Sequence, residues 1–130
     1  ELPGDASRFE YTTIHFGAAQ GLAAAIVELN EMGIDNVWRH DLELATHLIS
    51  GVEELGIEVI SPQSEAERSA IVSLRMPEGE SSEEVAHRLQ SDFSILVTSR
   101  SGMLRISPHI DNDLQDIEAL LSALSEILQI

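Results

Sequence analysis

The period of apolar residues changes after Gly56 from helical to strand-like, and that change most constrains what this chain can fold into. Upstream, Gly17 to Met32 carries Leu22, Ile26 and Leu29 at helical spacing, and Gly33 follows as a stop. Asp35 is expected to cap a second helix with the stripe Val37, Leu44, Ala45, Leu48, Ile49, Val52 and Leu55, ended by Gly56. Downstream, Ile57 to Ile60 reads as a short strand and Pro62 to Ser69 as a polar loop. From Ala70 to Met76 the pattern alternates, with Ala70, Val72, Leu74 and Met76 on one face. Helical spacing returns after Ser81 and Glu84, which have the spacing of a capping box ahead of Val85 and Leu89. Two more strands are expected, Ile95 to Thr98 and Met103 to Ser107, joined by Ser99-Arg100-Ser101-Gly102. Pro108 breaks the last strand, Asp111-Asn112-Asp113 offers a cap, and Ile117, Leu120, Leu121, Leu124 and Leu128 stripe a closing helix. The order α-α-β-β-α-β-β-α predicts an α+β fold. It is expected to be a two-layer sandwich, a small, largely antiparallel sheet with helices on one face.

A chain of 130 residues is the size of one domain. Residues 1–16 read as an extended arm and 17–130 as a small domain. The opening Glu1-Leu2-Pro3-Gly4-Asp5 has no signal-peptide pattern and no initiator methionine, as expected of a cut end. No apolar run approaches the ~18 residues needed to span a bilayer. Against 23 acidic residues stand 7 basic ones, a net charge of -16, and all seven are arginines. That balance repels phosphate backbones and anionic lipid surfaces, so neither nucleic acid nor membrane is an expected partner. Lysine and cysteine are both absent, which excludes disulfides, thiolate nucleophiles and thiolate metal sites on this chain.

Arg105 is the strongest candidate for a binding residue. With Leu104 and Ile106 facing the helices, strand alternation turns Arg105 to the opposite face. There a guanidinium forms a rigid fork for a carboxylate or phosphate; the plainer reading is an exposed arginine on an open sheet. Thr12 and Thr13 supply adjacent hydroxyls that could bind a phosphate or solvate a loop. His40, Glu43 and His47 share one side of the second helix at ligand spacing, yet a helix must also fill its wet face with polar groups, so no metal site is expected. His109 is expected to pair with Asp111 or to serve a cap. Glu78, Glu80, Glu83 and Glu84 read as a solvated loop and helix start.

Two of these segments carry a resemblance. Arg8-Phe9-Glu10-Tyr11-Thr12-Thr13, leading into an alanine-rich helix, resembles the R-F-E-x-G-T-P-N segment of class V aminotransferase-type enzymes. Leu104-Arg105-Ile106-Ser107-Pro108-His109-Ile110-Asp111-Asn112-Asp113 resembles that family's L-R-[IVA]-S-P-H-x-Y-N-T segment. Differences are Ile14-His15 after Thr13, and Asp111 and Asp113 flanking Asn112. The resemblance implies the C-terminal small domain of a cytoplasmic, homodimeric pyridoxal-phosphate enzyme acting on an amino acid. Arg105 would hold the substrate α-carboxylate, and Thr13 would reach the cofactor phosphate of the neighbouring subunit. The cofactor is held by a lysine amine, which must then lie in a large domain of the same polypeptide, so the chain alone is expected to be inactive. The domain would also form part of the active-site lid. The rival expectation is a non-enzymatic α+β module that binds a small anion or a protein through its open sheet face.

Overall fold

A computed structural model of the chain describes residues 4–9, 15–64 and 66–130. The chain divides into two compact units, residues 1–34 and 35–130. In the first, a single 3-10 turn spans Ala6–Phe9, and helix α1 spans Phe16–Met32. His15 caps α1: its Nδ1 accepts from the Ala18 N–H at 3.1 Å. Gly33, at φ 82°, takes a conformation that only glycine adopts cheaply, and its N–H closes the helix on the Leu29 carbonyl. Leu22, Ile26 and Val27 of α1 are exposed. Among the described residues no helix is long and apolar enough to cross a membrane.

The second unit is built on α2 (Ile34–Glu54), β1 (Glu58–Val59), β2 (Val72–Arg75), α3 (Ser82–Phe93), β3 (Thr98–Arg100), β4 (Met103–Ile106) and α4 (Leu114–Leu128). The strands form one antiparallel sheet in the order β1-β2-β4-β3. This is the α+β architecture and element order that the change of period predicts. Cross-strand partners share a face, so the register sorts the residues. Val72 pairs with Ile106 and Leu74 with Leu104, all of them buried among the helices. Ser73 and Thr98 both pair with Arg105, on the other face.

The core gathers Leu44, Leu48 and Val52 of α2, Val85 and Leu89 of α3, and Ile117, Leu120 and Leu124 of α4 against Val72, Leu74, Leu104 and Ile106. Each fully buried leucine contributes roughly 1.5–3 kcal/mol of burial. The stripes read from the sequence on α2, α3 and α4 face this core, whereas α1 buries none of its residues. Gly51 lets α2 and α4 meet closely, because a Cβ there would sit inside the Leu121 side chain.

Several boundaries differ from expectation, β2 and β4 among them, which are shorter than the Ala70 to Met76 and Met103 to Ser107 runs. Asp35 lies within the first turn of α2 rather than before it. Only Glu58 and Val59 form β1, although the Ile60 N–H still donates to the Ser73 carbonyl at 2.8 Å. The last hairpin is displaced: β3 is Thr98–Arg100, not Ile95 to Thr98, and only Ser101-Gly102 joins it to β4. Both turn residues have positive φ, 54° and 73°, the geometry that lets a two-residue connection match the strand twist. The half-buried Ile95 and Val97 pack against the core from the segment before the strand.

At the start of α3, Ser81 caps the helix by accepting from the Glu84 N–H. Glu83 beside it is held below the usual glutamate range, first by its own backbone N–H and then by the Ser81 and Ser99 hydroxyls. Ser82 is buried and shares a 2.7 Å hydrogen bond with Ser99 on β3.

Candidate functional site

Arg105 stands in β4, an interior strand hydrogen-bonded to β2 on one side and β3 on the other. Leu104 and Ile106, at 0% and 5% exposure, fix the strand in the core and so turn Arg105 away from it. Its immediate cross-strand neighbours are the short polar side chains Ser73 and Thr98. Arg105 is half-buried, and its Nε is wholly shielded from solvent with no hydrogen-bond partner among the described residues. A buried N–H left unpaired costs roughly 1–3 kcal/mol, more for a charged group, and a carboxylate would satisfy it in a charge-assisted fork. Arg75, also on this face, contrasts with it. It is exposed and already paired, its Nε donating to Glu58 Oε2 at 2.6 Å.

The turn after β4 is tied down at several points. Pro108 is buried. The His109 N–H donates to Asn112 Oδ1 at 3.1 Å, and the Asn112 N–H returns to the His109 carbonyl at 2.8 Å. Two successive residues of α2 grip this turn: His40 Nε2 donates to the Asn112 carbonyl at 3.0 Å, and Asp41 Oδ2 accepts from His109 Nδ1 at 2.7 Å. Asp41, not Asp111, is therefore the partner of His109. Asp113 then caps α4, accepting from the N–H groups of Gln115 and Asp116, while Asp116 accepts from the Asp113 N–H. The cap expected from Asp111-Asn112-Asp113 is thus this capping box.

The remaining candidates separate. Thr12 and Thr13 lie outside the described residues. His40 is engaged with Asn112 and His47 with Glu118, so the two ligand-spaced histidines of α2 serve different partners. Among the described residues no three His, Cys, Asp or Glu side chains cluster to hold a metal ion. Two residues that sequence reasoning passed over have structural weight. Asp41 is the one buried charged residue among those described. Arg68, in the polar loop, has a buried Nε without a partner, as Arg105 does. Neither has a local sequence signal: Asp41 meets its partner 68 residues away, and Arg68 is a lone arginine between elements.

The sequence matches the aminotransferase class-V family over residues 2–120. A probable cysteine desulfurase of Pyrococcus abyssi is 29% identical over 135 residues, covering 94% of this chain and 33% of that protein. The apo structure of cysteine desulfurase from Thermococcus onnurineus NA1 superposes with a TM-score of 0.87 at 28% identity, over 99% of this chain and 35% of that one. Alanine–glyoxylate aminotransferase from a Nostoc species shares the fold, with a TM-score of 0.74 at 18% identity over 95% of this chain and 34% of that one. The chain spans about a third of the length of these relatives. With the family matched across nearly all its residues, and with the fold shared from core to hairpin, this chain belongs to the class V aminotransferase family.

Proposed function

We propose that this chain is the substrate-gripping small domain of a pyridoxal-phosphate enzyme that transforms an amino acid. The observation that carries the reading is Arg105: a half-buried guanidinium on the sheet face away from the helices, its Nε without an acceptor among the described residues. On this reading Arg105 holds the substrate α-carboxylate, and the sheet face that bears it forms one wall of the active site. Thr13 would contact the cofactor phosphate of the neighbouring subunit in a homodimer. The working site is cytoplasmic, and the domain contributes part of its lid.

The residues of this chain do not fit the covalent attachment of that cofactor, because the sequence contains no lysine. A lysine-bearing large domain of the same polypeptide would supply it. The chain also brings no thiol of its own, and the β3–β4 turn is two residues long. Transamination, epimerisation or β-elimination are accordingly favoured over chemistry that needs a cysteine nucleophile.

The test sets the chain beside the whole polypeptide. The whole polypeptide, saturated with pyridoxal phosphate, should turn over one or more α-amino acids in a panel that reads keto-acid formation, racemisation and elimination separately. The 130-residue chain should show no turnover and no borohydride-sensitive cofactor band that survives dialysis. Turnover by the chain alone, or a whole polypeptide that neither binds the cofactor nor acts on any amino acid, would overturn the reading.

A further inference from the structure

Arg68 carries the same signature as Arg105, a buried Nε with no acceptor among the described residues, in a part of the fold that the proposed function leaves unused. It lines an open groove of about 570 Å3 along the outer side of α2. Thr46, which also lines the groove, holds the guanidinium: Arg68 Nη1 donates to Thr46 Oγ1 at 3.2 Å, and Thr46 Oγ1 donates in turn to the Leu42 carbonyl at 2.7 Å. With Nη1 engaged by Thr46, Nε is left without an acceptor among the described residues, and a side-on fork through Nε and Nη2 is the geometry by which a carboxylate would satisfy it.

The rest of the lining says what kind of molecule would fit. Ser50 adds a hydroxyl, and Leu42 and the exposed Leu114 add apolar wall. Arg39 is a second cation of the groove, its Nη1 bonded to Asn36. Glu43 also lines it, which disfavours a multiply charged anion such as phosphate. His47 is already paired with Glu118. We infer that this groove is a binding site for a small amphipathic carboxylate, its charge on Arg68 and its apolar body against Leu42 and Leu114. Because the chain as a whole is strongly acidic, casual anion binding is suppressed, and a saturable carboxylate here would be specific.

Nuclear magnetic resonance of the 15N-labelled 130-residue chain tests this with sodium benzoate as probe and sodium acetate and inorganic phosphate as comparators. Benzoate should shift the Arg68 Nε–H and the Thr46 amide saturably, and more tightly than acetate does. Arg68→Gln should raise the apparent Kd by at least about tenfold, and Arg39→Gln should raise it less. No saturable shift at Arg68 would overturn the site, as would shifts confined to Arg105. Phosphate binding at Arg68 as tight as benzoate would overturn the assignment of an amphipathic carboxylate. The wild-type map decides the matter even if the Arg68 variant fails to fold.

Discussion

Three buried side-chain polar atoms among the described residues lack a partner: Asp41 Oδ1, Arg68 Nε and Arg105 Nε. On the readings proposed above, the two arginine atoms are ligand-binding, and Asp41 is structural. Its other oxygen holds His109, so it couples α2 to the turn that ends the strand bearing Arg105. Removing His109 would leave a buried carboxylate with neither oxygen bonded, a change that is costly because the low-dielectric interior does not solvate it. His109 is itself half-exposed, which moderates the effect. His109→Ala should therefore destabilise the chain by about 1–3 kcal/mol, whereas His47→Ala, which breaks a more exposed pair, should stay within about 1 kcal/mol. Urea denaturation of the two variants measures the difference, and equal losses would remove Asp41–His109 from the account. The placement of Arg105 was legible in the sequence because strand alternation is local. The partner of His109 was not, because nothing near His109 or Asp41 in the chain announces a contact across the fold.

At the level of elements, helices were easier to read than strands for a physical reason. The stripe of α2 or α4 repeats over several turns, so one ambiguous residue does not shift it. The strands are two to four residues long, and register rather than pattern sets their ends. Ile95 and Val97 alternate like a strand, yet the ladder begins at Thr98, opposite Arg105, in the register that the tight Ser101-Gly102 turn sets by placing Arg100 opposite Met103. Gly51 is the converse case: a glycine inside a helical pattern, which weakens the helix unless a neighbour needs the space. Here Leu121 of α4 occupies that space. Gly51→Ala should lose more by overpacking than it gains in helix propensity, for a net cost of about 1–2 kcal/mol. In a Leu121→Ala background the clash is gone, and the same substitution should become neutral or stabilising by up to about 1 kcal/mol. Thermal or urea unfolding of the four proteins reads the cycle. A Gly51→Ala cost that persists without the Leu121 side chain would show that the close approach is not what selects glycine.

For the whole molecule, the two faces of one sheet divide the labour. The face bearing Leu74 and Leu104 closes the core with three helices, and the face bearing Arg105 is, on the proposed function, the one that meets substrate. Strand alternation links these tasks, since the residues that bury Leu104 and Ile106 also aim Arg105. The central claim is that Arg105 takes a substrate carboxylate, and amino-acid affinity of the whole polypeptide, saturated with cofactor, tests it most directly. Arg105→Ala should weaken binding by about 2–5 kcal/mol, the loss of a desolvated charge-assisted pair. Arg105→Lys should restore only part, because an ammonium cannot reproduce the fork. Arg75→Ala, which removes an exposed ion pair, should change affinity by less than about 1 kcal/mol. That ordering is the result expected here; equally small effects at Arg105 and Arg75 would contradict it and reduce Arg105 to a surface arginine.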